Sequence, residues 1–380
     1  MPYQELFAVE RFMDAYEECV SYNLGETCCH SLSLNDFERI TGERVEFDRS
    51  VRFTYGSIKG SHGVRSRVAS LYSSEDIELN KDNVLITNGA IGANFLVNYA
   101  LAGPGDHVIC VAPTYQQLSS VPRMFGAEVD LLDLEASDDF LPNIEKLKVL
   151  VRPTTTLIVI NNPNNPLGCV IPPHVLKQIS DLAADLDIHV LCDEVYSPLF
   201  HSCDTTPSLC QMNPKAIITG SMSKAFSAAG LRLGWVVSQD KHFLSKAASR
   251  RDYNTISVSI IDDFVSQYIL KNYREVLKHN LKLCRENLSV LNDFVNENAD
   301  KFSFYNIPVG GAVCLIKIHG VSDTFKFCSK LAEKHRVLCV PGETFGKPGT
   351  IRIGYGNSKE ELLSGLPLLK QAYTEWFDEA

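Results

Sequence analysis

The amino-acid sequence predicts an α/β fold, in which a three-layer large domain holds a mainly parallel, seven-stranded sheet between two layers of helices. A smaller α+β domain follows it. Seven short apolar runs, bounded by turn residues, occur between residues 83 and 238 and alternate with helical patterns. Continuous apolar runs of this kind are typical of parallel strands buried on both faces. After about residue 256 the pattern changes to a long helical stretch and then to further short strands.

The seven strands of the large domain follow one another along the chain. An apolar helical pattern, IGANFLVNYAL, follows the first strand, and an amphipathic one at 175–187 follows the fourth. Right-handed crossovers connect such units by default. The predicted strands are 83–88, 107–113, 127–134, 156–163, 188–194, 216–223 and 232–238.

The C-terminal part predicts the smaller unit. Residues 260–298 carry apolar residues at three- and four-residue spacing, which predicts one long helix. Strands at 309–318 and 349–355 then flank a helix at 324–335. We place the change of domain inside the long helix. The predicted organisation is an N-terminal segment at 1–45 that packs with the small domain, a large domain at 46–275 and a small domain at 276–380.

Composition and charge exclude several classes of protein. The 380 residues are 45% hydrophobic, which is ample for a packed core and argues against general disorder. The net charge of −10, from 36 Lys+Arg and 46 Asp+Glu, argues against nucleic acid or an anionic membrane as main partner. No apolar run approaches a membrane span and the N-terminus lacks the apolar core of a signal peptide, so we expect a cytoplasmic protein.

The 12 cysteines predict reduced thiols. No pair is spaced C-x-x-C and no Cys/His cluster has zinc spacing, so we expect no metal site. Cys110 and Cys339 lie in apolar runs, where cysteine behaves as a small buried hydrophobe. For the adjacent Cys28 and Cys29 we favour a pocket or surface position over a redox switch.

The segment SMSKAFSAAGLRLGW, residues 221–235, carries the strongest chemical signal. It places Lys224 just past a strand, at the edge where open α/β sheets bind ligands. A lysine amine at that edge can form a Schiff base with a carbonyl. Ser221, Ser223 and Arg232 can converge on an anion beside it, and the arginine fork suits phosphate. For Lys224 taken alone, a solvated lysine in a turn is the alternative.

Two other strand ends offer hydrogen-bond donors. In TLIVINNPNNPLGCV two prolines fix a loop whose asparagine amides, that of Asn165 among them, lie at the sheet edge. In LITNGAIGANFL, Gly89, Ala90 and Ile91 lie at a strand-to-helix turn, where small residues expose backbone N–H groups at a helix N-terminus and offer a candidate phosphate site. An ordinary turn is the alternative for each.

The segment HVLCDEVY offers a carboxylate and a phenol. Asp193 ends an apolar strand, so its carboxylate lies on a largely buried edge and needs a cationic or protonated partner. Tyr196 presents its phenol to the same region. A helix N-cap is the alternative role for Asp193.

Together these strand ends match the needs of pyridoxal phosphate. Its aldehyde needs a lysine, its phosphate needs N–H donors and an arginine, and its pyridine nitrogen needs a carboxylate to stay protonated and act as an electron sink. Its ring oxygen needs a donor such as a phenol. Its ring face needs an aromatic side chain, for which the segment PTYQQL offers Tyr115.

The sequence resembles the class I/II aminotransferase family of fold type I pyridoxal-phosphate enzymes. The resemblance runs from about Asn23 to Tyr355 and implies an aspartate aminotransferase-like fold. It also implies transfer of an amino group from an α-amino acid to a 2-oxo acid. It rests, in the family's order, on FTYGSIKGSHGVRSRVA, TNGAIGA, PTY, NNPNNPLG, CDEVY, SMSKAFSAAGLRLGW, PVGGAV and TIRIGY.

The resemblance implies a role for each matching residue. Lys224 would form the Schiff base with pyridoxal 5'-phosphate and later move the Cα proton, and Asp193 would pair with the pyridinium nitrogen. Arg352 would bind the substrate's α-carboxylate. Tyr55 would reach the phosphate of a neighbouring subunit, which implies a homodimer. The other implied cofactor contacts are Tyr196 and Asn165 at the ring oxygen, Tyr115 on the ring face, and Ser221, Ser223, Arg232, Gly89, Ala90 and Ile91 around the phosphate.

The N-terminal segment NLGETCCHSLSL departs from the family's pattern, in which a glycine is followed shortly by a Pro-Asp pair. We take Gly25, Glu26 and His30 as candidate substrate-binding residues. A glutamate in the pocket would favour a cationic side chain such as that of arginine. A solvated Glu26 is the alternative.

Three functional hypotheses stay open. The first is aminotransfer. The second is elimination, replacement, cyclisation or oxidation on the same cofactor, since YNLGETCCHSLSL, RDYNTISVSI and VPGETFGKPGTIRIGYG are similar to stretches of capreomycidine synthase, which eliminates from and cyclises a hydroxylated arginine. The third is a non-catalytic effector-sensing module. We see no basic helix-turn-helix extension, and an intact Lys224 also argues against that third hypothesis.

Overall fold

The computed structural model describes residues 4–378, in which the strands form three sheets. The strands are β1 (Tyr22–Asn23), β2 (Val84–Asn88), β3 (His107–Ala112), β4 (Glu128–Asp133), β5 (Thr155–Asn161), β6 (His189–Asp193), β7 (Ala216–Ser221), β8 (Leu233–Ser238), β9 (Phe302–Phe304), β10 (Val313–Ile318), β11 (Val337–Leu338), β12 (Val340–Pro341) and β13 (Thr350–Gly354).

Helices cover the sheets and connect most of the strands. They are α1 (Ala8–Tyr16), α2 (Leu34–Thr41), α3 (His62–Tyr72), α4 (Gly89–Leu101), α5 (Gln117–Met124), α6 (Ile144–Leu150), α7 (Pro173–Asp185), α8 (Lys241–Arg251), α9 (Ile260–Lys271), α10 (Tyr273–Glu297), α11 (Thr324–His335) and α12 (Lys359–Asp378). Within residues 4–378 no helix is both long and apolar enough to cross a membrane.

The large sheet has the order β2-β8-β7-β6-β5-β3-β4. Its pairings are parallel except those of β8, which is antiparallel to β2 and β7. Alternate residues of a strand enter different cores: Leu157 and Val159 pack in the core of α4 and α8, whereas Ile158 and Ile160 join the larger core on the opposite face. The predicted three-layer α/β fold with a mainly parallel seven-stranded sheet is confirmed.

A second, four-stranded sheet of order β12-β13-β10-β9 is antiparallel and lies in the C-terminal part of the chain. The short strand β1 pairs in parallel with β11, which fastens the N-terminal segment to that part. The α+β character predicted for the C-terminal part is therefore observed. The exact domain boundaries, 1–45, 46–275 and 276–380, stay a prediction.

The prediction of one continuous helix over 260–298 was wrong, because the chain breaks at Asn272 between α9 and α10. Asn272 leaves the helical conformation with φ −108° and ψ 23°. Its side-chain amide donates to the carbonyl of Tyr268 at 2.9 Å and to Glu43 Oε2 at 2.6 Å. Apolar periodicity continues through the break, so the pattern alone could not reveal a stop made by a distant carboxylate.

The parallel strands point their carboxyl ends to one edge of the large sheet, and the N-terminal segment approaches this edge from the small sheet. Gly354, at the end of β13, makes that approach possible. A Cβ atom at this position would lie 1.7 Å from the carbonyl oxygen of Glu26. The glycine of TIRIGY therefore sets how closely residues 24–28 lie against β13, beside Arg352.

Candidate active site

A cavity of about 340 Å³ lies at the carboxyl edge of the large sheet. Loops that follow β2, β3, β5, β6 and β7 form one side, and β13, α1 and the segment after β1 form the other. Most of the site residues predicted from the sequence line this cavity: Gly25, Glu26, Ala90, Ile91, Tyr115, Asn165, Asp193, Tyr196, Ser221, Ser223, Lys224, Arg232 and Arg352.

Lys224 reaches the cavity from the turn after β7. Its Nζ donates to the hydroxyl of Thr27 and to Cys28 Sγ, the latter at 3.2 Å. Burial opposes its charge, yet the nearby thiol of Cys28 and phenol of Tyr196 hold the pKa of Lys224 above its usual value. The only reactive amine lining the cavity among the described residues therefore contacts the N-terminal segment directly.

Asp193, at the end of β6, is 3% exposed. Asn94 Nδ2 donates to its Oδ2 at 2.8 Å and the Val195 N–H to its Oδ1 at 3.0 Å, while Thr219 Oγ1 donates to Asn94 Oδ1 at 2.6 Å. Burial raises the pKa of Asp193 to about 6, and the two hydrogen bonds and Lys224 limit that rise. The carboxylate is thus oriented and ionised at neutral pH. Sequence reasoning missed Asn94, whose only signal is a polar residue in an apolar helix.

The junction of β2 and α4 forms a cradle with Arg232, which is where the sequence predicts an anion. Gly89 has φ +69°, and a Cβ atom there would lie 2.9 Å from Arg232 Nη2. A Cβ on Gly234 would lie 2.3 Å from the carbonyl carbon of Gly89, so the cradle depends on two glycines. Ala90 and Ile91, in the first turn of α4, line the cavity. Gly89 shapes this cradle without lining the cavity itself.

Arg352 of β13 is 2% exposed and lines the cavity together with Lys224. It donates to the Gly25 carbonyl at 3.0 Å and to Asn165 Oδ1 at 3.3 Å. Its Nε has no partner in the described part of the chain, and no described carboxylate forms an ion pair with it. Burial lowers the pKa of Arg352. A buried guanidinium without an anion is a fitting site for a ligand carboxylate.

Two tyrosines complete the cavity. Tyr196 is 1% exposed, and its hydroxyl has no hydrogen-bond partner among residues 4–378. Burial raises the pKa of Tyr196 to about 12, so it is a neutral donor. Tyr115 donates its hydroxyl to Glu10 Oε1 at 2.8 Å. The set of lysine, buried carboxylate, unpartnered phenol, glycine cradle and arginine fits pyridoxal phosphate group by group.

Two predicted residues lie away from this cavity. Tyr55 is 76% exposed, in a chain segment that also exposes Phe53. His30 is exposed, and its Nδ1 hydrogen-bonds with Asn357 Oδ1 at 3.1 Å. The structure therefore does not bring His30 to the site, whereas Tyr55 stands on a free surface of this single chain.

The adjacent cysteines have different surroundings. Cys28 lines the cavity, and burial raises the pKa of its thiol. Cys29 is fully buried, with its Sγ 3.9 Å from Cys284 Sγ. No described cysteine forms a disulfide, and no group of described His, Cys, Asp or Glu residues has the geometry of a metal site.

Helix α1 and the residue that follows it contribute wall residues that no sequence pattern indicated. Val9, Glu10, Met13 and Glu17 line the cavity, and Thr27 joins them from the segment after β1. Their positions depend on contacts with residues more than a hundred positions away, such as that of Glu10 with Tyr115.

The chain is similar to known proteins over most of its length. A family model described as aminotransferase class I and II matches residues 28–366. The chain is similar to aspartate aminotransferase of Thermotoga maritima, with 29% identity over 338 residues that cover 87% of this chain and 86% of that protein. It is also similar to capreomycidine synthase of Streptomyces vinaceus, with 29% identity over 289 residues and coverage of 76% and 74%.

Among solved structures, the chain is similar to a PLP-dependent aminotransferase from Streptococcus suis 89-1591. The TM-score is 0.91, the sequence identity is 35%, and the alignment covers 98% of both chains. The fold expected from the sequence, including its smaller α+β part, is thus found in a solved relative.

Proposed function

This chain belongs to the class I and II aminotransferase family, whose enzymes use pyridoxal 5'-phosphate, and we propose that it transfers the amino group of an α-amino acid to a 2-oxo acid through Lys224. One observation carries the proposal. Lys224, Asp193 and Arg352, whose Nε has no partner among residues 4–378, converge on a single cavity at the carboxyl edge of the sheet.

The cofactor supplies an electrophilic carbon and a protonated ring that withdraws electrons from the substrate's Cα. We propose that Asp193 keeps the ring nitrogen protonated and that Tyr196 donates to the ring oxygen, with Asn165 beside it. Tyr115 would cover the ring face. The phosphate would be held by Ser221, Ser223, Arg232 and the turn of Gly89, Ala90 and Ile91.

Arg352 would receive the substrate's α-carboxylate, because it is buried and offers an unpartnered N–H. This contact fixes which Cα bond faces Lys224, and orientation of that kind decides which bond breaks. Lys224 Nζ would then take the proton from Cα and deliver it to the electrophilic carbon of the cofactor. Thr27 and Cys28, which contact Nζ, would hold the amine in position between these two transfers.

The test uses the protein reconstituted with pyridoxal phosphate. We expect a visible absorbance that changes on addition of an amino acid and returns on addition of a 2-oxo acid, with a keto acid released. Lys224→Ala should lose the absorbance of the resting enzyme, whereas Lys241→Ala, at the exposed start of α8, should retain it. A colourless reconstituted wild-type protein would overturn the proposal.

Cyclisation or elimination is the second candidate. One support for it is the similarity to capreomycidine synthase. The other is the segment with Thr27 and Cys28, which contacts Lys224 and stands in place of the Pro-Asp pair that many family members carry. Product analysis separates the two. Transfer of nitrogen to a second 2-oxo acid supports aminotransfer, and a cyclic product with no such transfer supports the second candidate.

We further propose a homodimer in which Tyr55 reaches the neighbouring cavity. Its support is the exposure of Tyr55 together with Phe53 and Ile58 on one segment. Sedimentation should give a dimer, and Tyr55→Phe should weaken cofactor binding without changing the assembly. A monomeric active enzyme would contradict this assignment. A cytoplasmic location stays a prediction of the sequence.

A further inference from the structure

Three carboxylates of the cavity have no role in the proposed function. Glu10 belongs to α1, Glu17 follows the end of that helix, and Glu26 follows β1, and all three line the cavity. The cations that line it are Lys224, Arg232 and Arg352, and each already has a role, at the cofactor carbon, the phosphate and the α-carboxylate. The charge left for a substrate side chain is therefore negative.

One face of α1 forms the wall of the cavity beyond the sheet edge. Glu10, Met13 and Glu17 are spaced by three and four residues, so they share a helix face, with Val9 beside them. This wall is apolar at Val9 and Met13 and acidic at the two glutamates. A side chain that extends along it meets apolar surface first and carboxylate oxygens beyond.

Glu26 is a fixed carboxylate. Its Oε1 accepts hydrogen bonds from the backbone N–H groups of Thr27 at 2.6 Å and Cys28 at 2.8 Å. Burial opposes its ionisation, but the charge of Lys224 and these hydrogen bonds hold the pKa of Glu26 below its usual value. No salt bridge is formed by any of the three glutamates with a residue of the described part of the chain, although the charge of Glu26 acts on Lys224 and those of Glu26 and Glu10 act on Arg352 at longer range.

Arg352 is an independent indication that the cavity binds a ligand, and it indicates how that ligand is oriented. It is 2% exposed, lines the same cavity and has an Nε without a partner among the described residues. A substrate bound by its α-carboxylate at Arg352 and by its Cα near Lys224 has its side chain directed away from both. The remaining walls are α1 and Glu26, where an acidic side chain would meet like charges.

Building on the proposed function, we propose that the substrate is an α-amino acid whose side chain is a methylene chain ending in a cation, either a guanidinium or an ammonium group. Val9 and Met13 cover the methylene groups. Glu10, Glu17 and Glu26 surround the cationic end, and charge-assisted hydrogen bonds to it provide the selectivity.

The ligand test compares cationic amino acids with neutral amino acids of similar length. The holoenzyme is titrated with L-arginine, L-lysine, L-citrulline, L-norleucine and L-aspartate while the cofactor absorbance is followed. L-arginine or L-lysine should saturate the change at about 10- to 100-fold lower concentration than its neutral counterpart, L-citrulline or L-norleucine, as expected for a charge-assisted contact. The amino acid that saturates at the lower concentration, L-arginine or L-lysine, shows whether the cavity prefers a guanidinium or an ammonium group. Equal saturation within both pairs, or a preference for L-aspartate, overturns the proposal.

Binding without chemistry distinguishes failure of this proposal from failure of the proposed function. 5-Guanidinovalerate and 5-aminovalerate carry a carboxylate and a cation but no α-amino group, and hexanoate lacks the cation. Calorimetry on the holoenzyme should show tighter binding of at least one cationic acid than of hexanoate. That result supports the acidic subsite even if no amino acid changes the absorbance, and equal binding of all three acids overturns it.

The variant test removes one charge at a time. Glu10→Gln, Glu17→Gln and Glu26→Gln should reduce the preference for the cation over its neutral counterpart, with binding of the neutral amino acid retained as proof of folding. Glu18→Gln is the matched control, because Glu18 is exposed beside α1 and does not line the cavity. A preference that all three variants retain, at the level of the control, refutes the assignment.

Discussion

Substitution of Asn94 by leucine should disable Asp193 without removing it. Asn94 Nδ2 donates to Asp193 Oδ2 at 2.8 Å, and the asparagine is itself held by Thr219. Leucine has a similar size but cannot donate, so the buried carboxylate keeps only the Val195 N–H as a hydrogen-bond donor. We therefore expect a change in the acidity of Asp193 with little change in the shape of the cavity.

The magnitude follows from the value of a hydrogen bond to a charged group, about 1.5–3 kcal/mol. Since one pKa unit corresponds to about 1.4 kcal/mol, the pKa of Asp193 should rise by about 1 to 2. From its wild-type value of about 6 it would move to roughly 7 to 8. Much of Asp193 would then be protonated at neutral pH and unable to hold the cofactor's ring nitrogen in its charged form.

The assay is the affinity of the cofactor-free protein for pyridoxal phosphate as a function of pH, followed by quenching of protein fluorescence. Affinity should fall as pH decreases through the pKa of Asp193, and the midpoint of the fall should lie 1 to 2 pH units higher in Asn94→Leu. Asn98→Leu is the matched control, one helical turn further along α4 and without contact to Asp193. Identical midpoints in the wild type and Asn94→Leu would refute the reasoning.

Four further results are expected. Arg352→Gln should raise the half-saturating amino-acid concentration by about 10- to 100-fold in absorbance titrations while cofactor affinity stays close to wild type. Gly354→Ala should lower the melting temperature and weaken amino-acid binding, because the added Cβ atom would displace Glu26 from β13. Gly230→Ala is the control, since a Cβ atom at that position meets nothing within 4 Å. Alkylation followed by mass spectrometry should label the exposed Cys19 and Cys203 before the ten buried cysteines. For the cofactor-free wild type, burial raises the pKa of Asp193 from 3.8 to about 6, so the folded chain binds this proton more tightly than the unfolded chain. The contribution of Asp193 to the free energy of unfolding should therefore fall as pH rises from 3.8 to about 6.

The order of the elements and much of the cofactor site could be predicted from the sequence. Strands of the large sheet were located because a strand buried on both faces must be continuously apolar, as at Leu157 to Ile160. Lys224 and Asp193 could be selected because each directly follows or ends such a strand, and parallel strands bring their carboxyl ends to one edge. Both predictions rest on local patterns, that is, on the spacing of residues that are close together in the sequence.

Two features could not be predicted from local patterns: the break at Asn272 and the hydrogen bond from Asn94 to Asp193. Asn272 is held by Glu43, 229 positions earlier, and Asn94 meets Asp193 across 99 positions. A polar residue in an amphipathic pattern has the same appearance whether it faces solvent or a buried partner. Only the packing of helices against the sheet decides between these cases.

The sequence by itself determined the fold class, the order of strands and helices and the residue types available for the cofactor. The tertiary structure decided what surrounds the substrate. Lys224 meets Cys28 across 196 positions, and Tyr115 meets Glu10 across 105. Neither pair has a periodic signal, because both depend on how α1 and the N-terminal segment lie over the sheet edge. Long-range packing thus placed Glu10 and Glu17 in the same cavity as Lys224 and Glu26, and no spacing in the chain could have predicted the positions of the first two.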